Sequence, residues 1–187
     1  PWLLFSTSLN DASNSLINNA ELVSKIYFPR IIMPISAMAI SILDFCISLI
    51  ILLFLLIIYN YWPGWQIILL PFFVVMAFLT SLGPSLWMAS MNVKYRDFQY
   101  IIPFAVQFGL YISPVGFSSS VVPEGWRLLY SLNPMVGVID GFRWCILGGD
   151  SPIYVPGFIM SILLIIIFLY LGIKKFKKEK KAFADLI

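Results

Sequence analysis

The sequence predicts an all-α fold, a polytopic bundle of membrane-spanning helices, and three observations predict it. Apolar residues fill 60% of the 187 positions and charged residues only 11%, where an average soluble domain carries about 25% charge. Mean hydropathy is +0.93. The cations are segregated as well: short basic loops alternate with loops that carry almost none, the pattern of a chain threaded across a bilayer. The absence of histidine excludes imidazole base chemistry and His-ligated metal sites. Cys46 lies inside an apolar run and Cys145 is expected near a surface; two such isolated cysteines define no redox compartment.

Orientation follows from residues 91–104, MNVKYRDFQYIIPF. Lys94, Arg96 and Asp97 crowd a turn between two apolar runs, and short loops rich in Lys and Arg stay on the cytoplasmic side. This turn is therefore read as cytoplasmic, joining two antiparallel spans. The remaining elements are placed from it.

Residues 1–19, PWLLFSTSLNDASNSLINN, are open to two readings. Their Ser, Asn and Asp11 are too polar for a lipid-facing helix, which leaves a span facing a protein interior or a surface segment. The run opens abruptly at Pro1 in apolar PWLLF, with no basic stretch before it, so further chain is expected upstream rather than a signal peptide. Residues 20–30 form a short amphipathic piece in which Glu21 and Lys25 pair at i,i+4 and Pro29 stops or kinks the helix. Lys25 and Arg30 put it at the cytoplasmic interface. Residues 31–59 are a long apolar run, more than the roughly 20 residues a span needs, with Asp44 as its only charge. Tyr59, Tyr61, Trp62 and Trp65 then surround Pro63-Gly64 without a cation, an aromatic belt and tight turn on the outer side.

Residues 67–91 return inward. Residues 100–117 go out again and are short, interrupted by Pro103 and Pro114. Residues 118–150 are too apolar for a solvated loop and too interrupted for a span. They are read as two short helices in the outer interface or dipping into it as a re-entrant hairpin. The first runs over roughly 124–132. The second has Asn133 as N-cap and Pro134 at N1 and ends at Gly148-Gly149. Asp140 and Arg143 share one of its faces at i,i+3 as a local pair of little energetic weight, while Met135, Ile139, Phe142 and Ile146 form the opposing stripe. Residues 153–173 are the cleanest span, followed by a tail whose six lysines suit acidic headgroups and not a nucleic-acid face. Lys25, Arg30, Lys94, Arg96 and those six lysines fall inside, while Arg127 and Arg143 fall outside.

Four stretches, NNAELVSKIYFPRIIMPIS, MNVKYRDFQYIIPFAVQFGLYISPVGF, LNPMVGVIDGFRW and KKEKKAFADLI, together resemble the permease subunit of ABC type-2 exporters, closest to those that move lipid-linked polysaccharides such as O-antigen, capsule or teichoic acid. The resemblance spans nearly the whole chain in the family's order. It implies a single transmembrane domain with six spans per subunit, of which about five are present here, the N-terminal interface helix and first span being absent. It also implies a homodimer in the cytoplasmic membrane with its C-terminus inside, and two cytoplasmic ATPase subunits that carry the ATP and magnesium. No G-x-x-x-x-G-K-[ST] occurs in this chain, so no cofactor is expected on it. On this resemblance Glu21, Lys25, Tyr27 and Arg30 belong to the segment that couples to the ATPase, and residues 118–150 to paired outer gate helices carrying Trp126, Tyr130, Asp140, Arg143 and Trp144. Lys94, Arg96 and Asp97 offer a second ATPase contact, although topology alone accounts for them.

A polysaccharide needs a wide, wet path along which it slides. Sugar faces pack on aromatic rings without fixed register, so Phe104, Phe108 and Tyr111 are candidate path residues; interface anchoring is the alternative for each ring. Asp44 is costly within a span and is expected to face the path or a dimer contact, or else to bond a neighbouring Ser or Asn. Other function classes fare worse. A membrane glycan ligase or polymerase requires outer carboxylates as acid and base, and only Glu124, Asp140 and Asp150 are available. An ion-driven carrier normally needs several intramembrane ionisable groups. An ABC type-2 exporter of drugs or lipids is the nearest alternative.

Overall fold

The computed structural model describes residues 1–25, 28–95, 97–148 and 153–179. Among the described residues eight α-helices follow one another: α1 Trp2–Asn18, α2 Ala20–Lys25, α3 Ile32–Ile58, α4 Leu70–Lys94, α5 Phe98–Ile112, α6 Glu124–Tyr130, α7 Pro134–Leu147 and α8 Val155–Glu179. Every regular element among the described residues is helical, as expected. Three stretches among the described residues are long and apolar enough to cross a membrane: Ile32–Ile58, Trp65–Lys94 and Val155–Glu179.

Helix α4 is the axis of the bundle, packing along most of its length against α1 and α8. Leu4 of α1 meets Leu70 and Phe73 near one end of α4, and Leu16 meets Leu86 and Val93 near the other. Helices α1 and α4 therefore run parallel. The same reasoning holds for α8, where Phe158 packs on Phe73 with ring centroids 5.8 Å apart and Phe176 joins the Leu16 cluster. Helix α3 runs the opposite way, packs chiefly on α1, and leaves most of its Ile and Leu side chains exposed.

This settles the two readings of residues 1–19. They form a helix whose Ser8, Ser13 and Ser15 are buried against neighbouring helices. Some hydroxyls return to the preceding turn: Thr7 donates to the Leu3 carbonyl at 2.8 Å and Ser15 to that of Ala12 at 2.7 Å, while among the described residues the Ser8 and Ser13 hydroxyls find no partner. Asn92 of α4, fully buried, donates to Ser13 O at 3.2 Å and Asn14 Oδ1 at 2.7 Å. Interhelical bonds of this kind hold spans together where lipid supplies no hydrophobic drive. Helices α4 and α8 touch backbone to backbone at Gly83 and Gly172, where a Cβ on Gly172 would overlap the Gly83 carbonyl. Cys145, expected near a surface, is instead wholly buried in the α4–α7–α8 core.

The bundle has two unlike ends. Lys25, Lys94 and the α8 lysines share one of them; the charge of Lys94 reaches Glu179, which Lys175 pairs at 2.9 Å. The other end carries exposed Tyr59, Trp62 and Trp65. There α3 ends at Ile58, and Asn60 just beyond it, with φ of +53°, lets Tyr61 N–H bond the Leu56 carbonyl at 2.9 Å, a left-handed turn that Asn tolerates. Helix α5 is the short member, 15 residues or about 22 Å against a hydrocarbon core of about 30 Å. It ends earlier than the apolar run because Ser113 precedes Pro114 and adopts extended ψ of 150°, the conformation that a following proline enforces.

Candidate functional site

A helix that stops short of the membrane surface leaves its last carbonyls without partners in a place where water is scarce. Here α6 and α7 bond the last of them and the two residues that follow α5. The Tyr130 hydroxyl donates to Ile112 O at 2.8 Å, Asn133 Nδ2 to Ser113 Oγ at 2.9 Å and Arg143 Nη2 to Pro114 O at 2.9 Å. Arg127 completes the set, its Nε donating to Val122 O and its Nη2 to Ser120 O, both at 2.9 Å. The α6–α7 hairpin and the end of α5 are thereby one hydrogen-bonded unit.

The hairpin forms where the local signals place it. Asn133 caps α7 by accepting from Met135 N at 3.1 Å, and Gly148, with φ +66°, ends it. Gly149 lies outside the described residues. Helix α6 ends at Tyr130, two residues before the expected limit. Met135, Ile139 and Phe142 are buried in the core as the stripe predicts. Gly137 meets Ser161, six residues into α8, whereas Trp144 meets Trp65 at 5.9 Å before α4 begins. The start of α7 is thus deeper in the bundle than its end, which is the re-entrant geometry. Trp126 is exposed on α6.

The Asp140–Arg143 pair requires a correction. It is not an exposed pair: the side chains are only 14% and 20% accessible, with Nη1 3.5 Å from Oδ1. Burial pushes the Asp140 carboxyl above its ordinary range, against the opposing pull of a Ser119 hydrogen bond and the Arg143 charge. Burial, with the Asp140 charge adding to it, likewise pushes Tyr130 up to about 12. Arg143 lines two cavities. One, of about 110 Å³, is lined by Ser118, Arg127, Tyr130 and Asp140 together with Val136, Ile153 and Phe158. The other, of about 470 Å³, lies among α1, α3 and α7 with walls such as Leu4, Phe45, Leu52 and Phe142.

Phe104, Phe108 and Tyr111 stand on one exposed face of α5 together with Tyr100, while Ile102 is buried. Phe104 and Phe108 have centroids 4.7 Å apart. Asp44 is exposed on α3 and lines the larger cavity with Thr7, Ser41 and Ser48. Ser48 bonds the Asp44 backbone carbonyl at 2.9 Å, and among the described residues no hydrogen bond reaches its carboxylate. Asp44 is not alone at this depth. Asp11, midway along α1, lies within electrostatic reach of it, beside Ser41. Two exposed carboxylates are unfavourable against lipid, so this α1–α3 seam meets water or other polypeptide. Asp11 was discoverable once residues 1–19 were taken as a span. The partners of the α5 end were signalled only indirectly, by Pro114 cutting a span short.

At the cation-rich end Lys25 Nζ lies 3.2 Å from Glu21 Oε2, both side chains largely exposed. Lys94 lies over the Tyr95 ring at 5.3 Å, and Asp97 is exposed in the following turn. Arg30 follows Pro29 where the chain turns into α3. Tyr27 and Arg96 lie outside the described residues. Helix α2, the end of α4 and the turns before α3 and α5 therefore bring five of the seven proposed coupling residues to one end of the bundle.

Among curated proteins the chain is similar to an "O-antigen export system permease protein RfbA" of Myxococcus xanthus, 28% identical over 145 residues, 76% of this chain and 56% of that protein. Two proteins of the same name from Klebsiella pneumoniae are 25% and 24% identical over 197 aligned positions, covering 100% of this chain and 72% of each relative. The chain thus spans little more than half the length of the Myxococcus relative. Residues 1–147, which run from α1 to the end of the re-entrant hairpin, match the family described as ABC-2 type transporter. A helical membrane bundle matched over that extent belongs to the ABC-2 type transporter family.

Proposed function

We propose that this chain is the membrane-spanning permease subunit of an ATP-driven exporter, and that its cargo is a lipid-linked polysaccharide such as O-antigen, capsule or teichoic acid. The names of its relatives support that class of cargo. Two copies form the conduit in the cytoplasmic membrane. Two separate ATPase subunits dock on the cation-rich end, which is cytoplasmic together with the C-terminus. ATP and magnesium belong to those partners, and this chain contributes no catalysis.

The observation that carries the reading is the exposed stripe of Tyr100, Phe104, Phe108 and Tyr111 on α5. Helix α3 exposes Ile and Leu, as a lipid-facing helix does; α5 exposes rings, two of them with hydroxyls. Rings of this kind hold a sugar face without fixing its register. The polar α1–α3 seam adds hydroxyls and carboxylates that keep such a path wet. Replacing Phe104 and Tyr111 together by Ala slows polymer export at unchanged membrane abundance. Wild-type flux from that variant overturns the assignment of the stripe.

Export of a drug or a lipid is the second reading, favoured by the apolar cavity of about 470 Å³. It predicts that a small amphiphile, and not the polymer, stimulates ATP hydrolysis by the reconstituted complex.

A further inference from the structure

Helices α1 and α3 place two carboxylates within the span, and the surrounding side chains bring them no counter-charge. Asp11, midway along α1, is exposed and lies within electrostatic reach of Asp44 on α3. Neither helix carries a Lys or Arg along its length. Among the described side chains the one cation lining the chamber beside them is Arg143. It is engaged elsewhere, with Nη1 3.5 Å from Asp140 Oδ1 and Nη2 bonded to Pro114 O. Among the described residues it forms no ion pair with Asp44. Uncompensated charge within a span is costly, so the pair calls for a cation from outside the chain.

Oxygen atoms surround the place such a cation would take. Ser41 is 2% accessible, lines the chamber with Asp44 and stands beside Asp11. Its buried Oγ nevertheless forms no close hydrogen bond among the described residues. Thr7 and Ser48 line the same chamber. Each donates its proton to its own helix, Thr7 to Leu3 O at 2.8 Å and Ser48 to Asp44 O at 2.9 Å. A hydroxyl committed in this way presents only lone pairs to its surroundings. That suits a cation and not an anion.

The donor set selects the kind of cation. Carboxylate and hydroxyl oxygens suit hard ions, and two carboxylates balance a charge of +2. Calcium takes roughly six to eight oxygen ligands, and no third acidic group joins these two among the described residues. Magnesium keeps several of its waters and needs only one or two carboxylates. The chamber, about 470 Å³, has room for such a hydrated ion at about 30 Å³ per water.

We propose that Asp11 and Asp44, with the Ser41 hydroxyl, hold a hydrated divalent cation of the magnesium type across the α1–α3 seam. The ion ties the two helices together and offsets the repulsion between their carboxylates. It is separate from the magnesium that accompanies ATP on the partner subunits, and the site is independent of the cargo the exporter carries.

The test reads the ion by its position. Full-length protein, without ATPase or nucleotide, is placed in phosphatidylcholine nanodiscs, whose headgroups carry no net charge. It is titrated with Mn²⁺ as the paramagnetic stand-in for Mg²⁺. Cys46, exposed and two residues from Asp44, carries a fluorine label, while Cys145 is buried. In a second preparation Cys46→Ser removes that label and Leu163→Cys places it on the exposed face of α8. Mn²⁺ is expected to broaden the fluorine resonance strongly at position 46 and weakly at position 163, and excess Mg²⁺ to reverse the broadening. Asp11→Asn and Asp44→Asn each weaken binding at least about tenfold, the loss of one charge facing a divalent ion. Ser41→Ala, which keeps both charges, weakens it severalfold. Glu124→Gln, on α6 away from the seam, leaves it unchanged. Thermal midpoints identify which variants remain folded, and the two labels on protein with both acids intact decide the matter if neither Asp variant does. Equal broadening at both labels, no reversal by Mg²⁺, or unchanged affinity in a folded Asp variant overturns the proposal. Absence of any broadening at position 46 overturns it too, and leaves the two carboxylates to share a proton.

Discussion

Tyr130, Asn133 and Arg143 all aim their donors at residues 112–114, where α5 ends inside the bundle. The Tyr130 bond lies at an exposed position, where an ordinary hydrogen bond contributes about 0.5–1.5 kcal/mol net. Tyr130→Phe keeps the ring and deletes only the donor, so it lowers stability by about 1 kcal/mol. Thermal unfolding in detergent reads that loss as a lower midpoint. The cap at Asn133 was legible in the sequence because an Asn-Pro pair before an apolar stripe is a local pattern. The Tyr130 contact was not, because its partner is 18 residues away and is defined only once the hairpin folds back. Asp140 and Arg143 were legible as neighbours on a helix face, whereas their burial depends on how α7 docks.

At the scale of elements, length and hydrophobicity located α3, α4 and α8 well, since uninterrupted apolar runs of that size have few alternatives. Helix α1 was ambiguous for a physical reason. Several of its serines are buried against neighbouring helices, and Asn14 takes its partner from Asn92 of α4, so composition alone reads as surface. The α4–α8 contact was invisible in sequence, because nothing marks Gly83 and Gly172 as partners before the helices are paired. Gly172→Ala forces the backbones apart and costs about 1–3 kcal/mol, as overpacking does elsewhere. The expected result is a lower thermal midpoint and a complex that dissociates in milder detergent. Glu21→Lys with Lys25→Glu acts differently. An exposed pair of this kind contributes roughly 0.3–0.5 kcal/mol, so the reversed pair leaves stability unchanged and instead uncouples ATP hydrolysis from export in the reconstituted complex. Intact coupling would remove α2 from the docking surface.

For the whole molecule, the partition of cations is the organising fact. Lys94 and the α8 lysines lie at one end of the bundle, so single cysteines at positions 94 and 178 react with an impermeant thiol reagent from the same side of intact vesicles. Labelling from opposite sides would overturn the orientation. Five of the residues read as coupling residues share that end. Of the residues named for the path, Phe104, Phe108 and Tyr111 share an exposed face of α5, and Asp44 on α3 has Asp11 of α1 within electrostatic reach.

The packing order differs from the order in which the chain is made. Helix α3 is apolar enough to enter lipid unaided as soon as it is synthesised. Helix α1 is not: its polar face packs chiefly on α4, where Asn92 donates to Ser13 O and Asn14 Oδ1, and α4 begins some fifty residues later. During biogenesis α1 must therefore be sheltered at the insertion machinery until α4 arrives, with α3 already released to the bilayer.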